Sequence, residues 1–539
     1  MGGVGAVAAG IAAGATLGKA EVAEAAQEVG PVIGNARLAA AESIRLDMRD
    51  RMVDEGIPSL HVNNGDEDRY ANRIGSYSKG LPHNNIGEVN PAAFNAFLAA
   101  LSTGTIDSIE TITLGGARGM TNPLAGLAFT TDGNDPHQFI QPPAPAFSSA
   151  ELAGEMVEHY WQALLRDVHF ERYDTHPIAG RAANELTSLE DFKGPMEGGQ
   201  VTRQTLFRDD LPGCTVGPYI SQFLILPTPF GAEFVDRRMR TLAPGSDHMT
   251  RFGDWLAVQN GNVPGRAVFD PVRRYIRNGR DLSEWVHIDV LFQAYFNACL
   301  IMGTPPDDSD IGGGIGCPVN VGNPYRGRAK QFGFGTWGPP GFKTLLCEVS
   351  TRALKAVWFQ KWFVHRRLRP EAFAGRVHVA RTGQASYPLH GDVGGSEAAN
   401  RVFRKYGSYL LPMAFPEGSP THPSYGAGHA TVAGACVTIL KALFDENFVI
   451  PNPKVVSPDG LSLQPYTGPA LTVGGELNKV ASNVATGRNI AGVHWRSDAY
   501  WSLRLGEQVA IALLRDNKLC SVEGGGHTFT TFDGDTITI

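Results

Sequence analysis

The segment PSYGAGHATV, Pro423 to Val432, turns a glycine-punctuated loop directly into an apolar helical run that reads from His429 to Phe444. Gly426 and Gly428 let the backbone approach a neighbour closely, and His429 opens the helix. The free N–H groups at such a start, at the positive end of the helix dipole, make an anion seat that needs no side chain. Taken singly, His429 also reads as an ordinary first-turn residue, and His422 as an ordinary loop residue.

A second segment, GRNIAGVHWRSD (Gly487 to Asp498), carries the complementary chemistry. Arg488 offers a rigid fork of donors suited to an oxyanion. His494 and Asp498 have helical i,i+4 spacing, so the carboxylate can hold the Nδ1 proton and leave Nε2 free as a ligand or nucleophile. The ordinary alternative is a buried structural His–Asp pair.

A third segment, KWFVHRRLRP (Lys361 to Pro370), adds cations. The periodicity predicts a helix from Phe342 to Arg366, with Lys361 and His365 on one face and Trp358 near both. Arg369 falls just past its end, and Pro370 is expected to stop it. Alone, this reads equally as a solvated basic helix terminus. For the three segments to carry no chemistry, all of these ordinary readings must hold at once.

Further helices are predicted over Arg37 to Asp54, Pro91 to Leu101, Ala150 to Val168, Trp285 to Met302 and Asp498 to Arg515. Strand patterning is scarce until Thr528 to Ile539, where an Asp533-Gly534 turn predicts a hairpin. The longest loop-like tract runs from Asp307 to Gly341. It holds no GxxxxGK[ST] motif, so a nucleotide-phosphate loop is not supported. The chain is expected to divide into a Gly/Ala-rich tail (1–25), an N-terminal helical half (26–280), a C-terminal helical half carrying the anion site (281–520) and the hairpin (521–539).

With 539 residues and 42% hydrophobic content the chain can bury a sizeable core. Its net charge of -7 argues against a general nucleic-acid binder, so the cationic segments run against the overall composition. Six cysteines without CxxC spacing make a zinc site or redox pair improbable; Cys299 and Cys436 read as buried hydrophobes. The first seventeen residues lack the basic n-region of a secretory signal, and no transmembrane segment is expected. Location stays open.

Lys361 with Arg369-Pro370, Gly428-His429, and Arg488 with His494 and Asp498 resemble the vanadium-dependent haloperoxidases, which share this anion-site pattern with type 2 phosphatidic-acid and class A acid phosphatases. Seven residues separate Lys361 from Arg369, as in the bromoperoxidases of that family. The flanks KWFVHRRLRPE and THPSYGAGHATVAGACVTILKA are most similar to red-algal and cyanobacterial bromoperoxidases. The resemblance runs from the helix near Arg37 to the C-terminal hairpin, with its diagnostic motifs within Trp358–Asp498.

That resemblance implies a mainly α fold with two four-helix bundles, bundle and oligomer contacts in the 26–280 half, long connecting loops and a small C-terminal β-hairpin. It implies one vanadate per subunit, with phosphate as a competitor and room for a structural divalent cation. His494 would bond vanadium, and Lys361, Arg369, Arg488 and the Gly428 N–H would hold its oxygens. His429 would move protons, Lys361 would also contact peroxide, and His422 and Trp358 would lie near the halide path. His365 and Asp498 would support them from behind. Red-algal members tend to have arginine where Trp358 stands, and a brown-algal one has tryptophan. The partners implied are hydrogen peroxide, bromide or iodide, small organic acceptors and further copies of the chain, from dimer to dodecamer. No nucleic acid or membrane is implied.

One position departs from the family. It usually has Ser-Gly-His, whereas this chain has Ala427-Gly428-His429. Losing one charge-assisted hydrogen bond costs about 1.5–3 kcal/mol, so weakened anion binding or activity is expected rather than none. Two other functions fit the same residues: a phosphomonoesterase with His494 as nucleophile and His429 as general acid, and an inactive oxyanion-binding homologue.

Overall fold

The helix Gly428–Leu443 has every residue buried except His429. A helix apolar on all sides has no face for water and must sit inside other elements. It packs chiefly against the helices Pro339–Phe359, Val473–Ile490 and Arg496–Cys520. The approach to the last is close because it is made by glycines: a Cβ at Gly434 would collide with the Leu503 carbonyl, and one at Gly506 with the Thr431 carbonyl.

The computed structural model describes residues 34–57, 60–306 and 313–539. The Gly/Ala-rich tail expected over 1–25 lies outside the described residues. Contacts divide the chain into two units, Met1–Glu55 and Gly56–Ile539. In the first, the described part is the helix Gly34–Glu55, which has no buried residue.

The second unit is mostly helical. Among its described residues the strands form three small antiparallel hairpins, Thr228–Phe230 with Glu233–Val235, Lys454–Val456 with Leu463–Pro465, and Thr528–Thr530 with Thr536–Thr538. The last is the predicted C-terminal hairpin, in the register Thr528↔Thr538, Phe529↔Ile537 and Thr530↔Thr536. All six cysteines are free thiols, with Cys299 and Cys436 buried as expected. Among the described residues no single helix is long and apolar enough to cross a membrane.

Two predicted helices differ from the structure in ways that matter for the site. The run Trp285 to Met302 is broken into Gly279–Ile288 and Gln293–Gly303, which meet at 99°. The apolar pattern continues across the break, which is why periodicity missed it, and the turn between them carries Asp289. The Phe342–Arg366 helix exists as Pro339–Phe359, but its last turn, Gln360–His365, is π-helical. Arg366, in the left-handed conformation at φ 39°, ends it. Pro370 is therefore not the stop. It is the first residue of the next helix, Pro370–Arg381, where its missing N–H and fixed φ are favourable.

Candidate active site

Two of the three segments line one cleft of about 380 Å³, whose walls include Trp358, His422, Gly428, His429, Arg488 and His494, and the third joins it through Lys361 and Arg369, which contact His422 and His494. The π turn supplies Lys361. Its wider winding separates Lys361 from His365, so the expected shared face is not formed. Lys361 Nζ turns to His422 Nδ1 at 2.9 Å and the Pro423 carbonyl at 3.1 Å, and stands 4.9 Å from the centre of the Trp358 ring. His365 packs edge-on against Tyr425 at 4.7 Å with both ring nitrogens unpartnered, and does not line the cleft.

Arg369, at the N-cap of Pro370–Arg381, holds the centre. Nη1 donates to the Val493 carbonyl (2.6 Å) and lies 3.1 Å from His494 Nε2. Nη2 lies 2.9 Å from His422 Nδ1, and both Nε and Nη2 donate to the His422 carbonyl. Two cationic donors at 2.9 Å make His422 Nδ1 an acceptor, so the ring's proton sits on Nε2. The more distant Pro423 carbonyl, at 3.2 Å from Nδ1, does not outweigh them. Trp358 lies beside this ring at 5.1 Å.

His494 is fixed from both sides. Nδ1 lies 3.0 Å from Asp498 Oδ2, and Arg369 donates toward Nε2. A carboxylate on one nitrogen and a cationic donor on the other select the neutral tautomer with its proton on Nδ1 and its lone pair on Nε2. Arg488, on the last turn of Val473–Ile490, donates Nη1 to the Val286 carbonyl at 2.7 Å, while its buried Nε has no partner. His429 Nε2 lies 3.0 Å from Asp289 Oδ1.

The electrostatics are those of an anion site. Lys361, Arg369 and Arg488 are all buried, and among the described residues no carboxylate forms an ion pair with any of them. Burial, reinforced by the neighbouring Arg369 and Arg488, holds the Lys361 ammonium well below the usual lysine range. Burial likewise lowers the Arg369 and Arg488 guanidinium groups to about 10. Burial first, and then the adjacent cations, push His422 and His494 well below the ordinary imidazole range. Cations held this way favour a bound anion, and the unpaired Arg488 Nε is a donor in want of an acceptor.

Ala427 is the N-cap of Gly428–Leu443 and offers no side-chain cap. Its own N–H donates to Ser502 Oγ at 2.8 Å. Gly428 follows as the first helical residue, where a Cβ would press to 3.0 Å on the Trp358 ring.

Several residues here escaped the sequence reading. Asp289 is separated from His429 by 140 positions, and only the broken helix brings it in. Arg367 and Ser424 both bond the Asp498 carboxylate. Arg118, His287 and Glu417 line the cleft, with His287 Nε2 2.6 Å from Glu417 Oε1. Nothing local in the sequence pairs these residues.

The chain is similar to known proteins over most of its length. Curated vanadium-dependent bromoperoxidases from Corallina officinalis and Ascophyllum nodosum are 38% and 34% identical to the chain, covering 90% and 88% of it and 95% and 87% of their own lengths. The chain belongs to the vanadium-dependent bromoperoxidase family. A solved family member, the second vanadate-dependent bromoperoxidase of Ascophyllum nodosum, described as homohexameric, superposes with a TM-score of 0.90 at 31% identity, covering 95% of this chain and 92% of that one. Residues 348–519 also match the family model for the VCPO second helical-bundle domain, a span containing every diagnostic motif.

The residues present fit the cofactor that gives this bromoperoxidase family its name. They provide a neutral imidazole nitrogen with its lone pair free of a proton, three buried cations without carboxylate partners, and a helix start at Gly428. An oxyanion bonded through its metal to nitrogen asks for that donor set.

Proposed function

We propose that the chain is a vanadate-dependent haloperoxidase that uses hydrogen peroxide to oxidise bromide or iodide to hypohalous acid, which then halogenates small organic acceptors. Three buried, carboxylate-free cations around the Nε2 lone pair of His494 carry this reading. Family membership supports it.

His494 Nε2 would be the metal ligand. Lys361, Arg369, Arg488 and the Gly428 N–H would hold the oxyanion's oxygens, and phosphate would compete for the same cations. When bound, vanadate supplies a Lewis acid that polarises peroxide toward attack by halide. The net reaction takes up one proton: halide, hydrogen peroxide and H⁺ give hypohalous acid and water. His429, held by Asp289, is the group placed to move protons at the cleft. Lys361 would contact peroxide directly. His422 presents its Nε2–H beside Trp358, where the halide would pass. Burial of Lys361, Arg369, Arg488 and His494 keeps water from screening the cations.

The finer architecture belongs to the same proposal: two four-helix bundles, one in each half (26–280 and 281–520), with the vanadate site at the end of the second. The chain would assemble as a homo-oligomer, as the homohexameric relative does.

The test is direct. Vanadate-stripped protein is given bromide, peroxide and an organic acceptor, with and without added orthovanadate, and assayed in parallel for phosphate-ester cleavage. Vanadate-dependent bromination is expected. Ester cleavage without bromination would assign a phosphatase, and neither activity would leave an oxyanion-binding protein.

A further inference from the structure

Asp498 fixes the tautomer of His494, and its carboxylate is fully buried. Oδ2 accepts from His494 Nδ1 (3.0 Å), Ser424 Oγ (2.5 Å) and the Trp495 N–H (3.1 Å). A buried anion that accepts so many hydrogen bonds still needs a cation, since removing a charge from water without one is costly. The cleft cations do not supply it: Lys361 bonds His422 and Pro423, and Arg369 bonds His422, Val493 and His494.

The cation on Asp498 is Arg367. Its Nη1 donates to Asp498 Oδ1 at 2.7 Å and to Ser497 Oγ at 2.8 Å, and its Nη2 to Glu155 Oε2 at 2.9 Å. The guanidinium lies 5.0 Å from the Trp495 ring centre and 5.9 Å from that of Tyr425. Its own carbonyl accepts the Ser424 N–H at 3.0 Å. Glu155, on the helix Ala150–Leu165, also accepts the Ser497 N–H. One residue, two positions before Arg369, thereby touches all three segments that build the site. It is not among the residues that line the cleft.

We infer that Arg367 is a positioning residue for the His494 ligand: its fork, anchored by Glu155, holds Asp498 as the acceptor that keeps the His494 proton on Nδ1 and its Nε2 lone pair toward the cleft. This rests on the function proposed above, but it predicts a tautomer that can be read without vanadate. A lysine could balance the charge but could not bond Asp498, Ser497 and Glu155 with one planar group.

The test uses the full chain with Arg367→Met, Arg367→Lys and Glu155→Gln. Histidine ¹⁵N resonances report the His494 tautomer without vanadate, and equilibrium dialysis reports vanadate affinity. Arg367→Met is expected to lose the single Nδ1–H tautomer and to bind vanadate roughly 10–100-fold more weakly, the usual effect of removing such support. Arg367→Lys should recover part of both. Should circular dichroism show that Arg367→Met does not fold, Arg367→Lys and Glu155→Gln decide, each expected to bind several-fold more weakly with a mixed tautomer. A folded variant with wild-type affinity and an unchanged tautomer overturns the inference. If the wild-type chain binds no vanadate, the proposed function fails, while the tautomer readout still judges Arg367.

Discussion

Arg369 Nη1 stands 3.1 Å from His494 Nε2, so a permanently charged donor faces the nitrogen assigned as the metal ligand. That nitrogen can only be an acceptor, which is the state a metal requires. Replacing His494 by alanine removes the lone pair and leaves the cations. Vanadate affinity, measured by equilibrium dialysis, should fall by at least about 100-fold, beyond the loss from a supporting contact. Retained affinity would show that the cations alone hold the oxyanion.

His429 and Asp289 form a second histidine–carboxylate pair at the cleft, 3.0 Å apart, beside that of His287 and Glu417. General acid–base groups contribute about 10²–10⁴-fold to turnover. His429→Gln should therefore lower kcat for bromide oxidation by at least about 10²-fold while vanadate affinity falls much less. Equal losses in both would recast His429 as an anion-binding residue.

Ala427 caps its helix without a side-chain hydrogen bond, and two effects of Ala427→Ser can be separated. A hydroxyl that reaches the oxyanion should raise vanadate affinity by about tenfold or more. One that turns back to the helix should add about 1 kcal/mol of stability and raise Tm without changing affinity. Dialysis and thermal melting on one preparation distinguish them, and no change in either would show that the hydroxyl finds no acceptor.

His365 is buried with both ring nitrogens unpartnered, and burial lowers it from 6.5 to about 3. Unfolded chains take up this proton below about pH 6.5 and the folded protein does not, so stability drops as pH falls from 6.5 toward 3. The slope from this one group approaches about 1.4 kcal/mol per pH unit. His365→Phe keeps the edge-on contact with Tyr425 and removes the proton. Urea melts of vanadate-free protein between pH 6 and 4 should show a slope shallower by about that amount; an unchanged slope would place the His365 pKa near its unfolded value.

Much of the local architecture was legible in sequence. The helices at Pro91, Ala150 and Gly428 and the hairpin at Thr528 follow from apolar periodicity and turn residues. Val473–Ile490 was not legible: Asn478, Ser482, Asn483 and Thr486 are buried in it. Asn483 is satisfied from outside the helix, accepting from the Ser221 N–H and donating to the Tyr219 carbonyl. Partners more than 200 positions away turn a polar string into an interior helix, and no windowed pattern contains them. Phe252–Gln259, of 8 residues, was also missed, being too short to establish a period.

The candidate donors could be named from sequence alone, because spacing on a helix and glycines at its start are local properties: Lys361, Arg369, Gly428, His429, Arg488, His494 and Asp498 stand out before any fold is known. Tertiary structure decided what those groups face. The π turn sent Lys361 to His422 and His365 to Tyr425, the break after Ile288 gave His429 its carboxylate, and Arg367 balanced the charge behind His494. Charges taken out of water must be paired or left to a ligand, and chain closure, not local spacing, selects between the two.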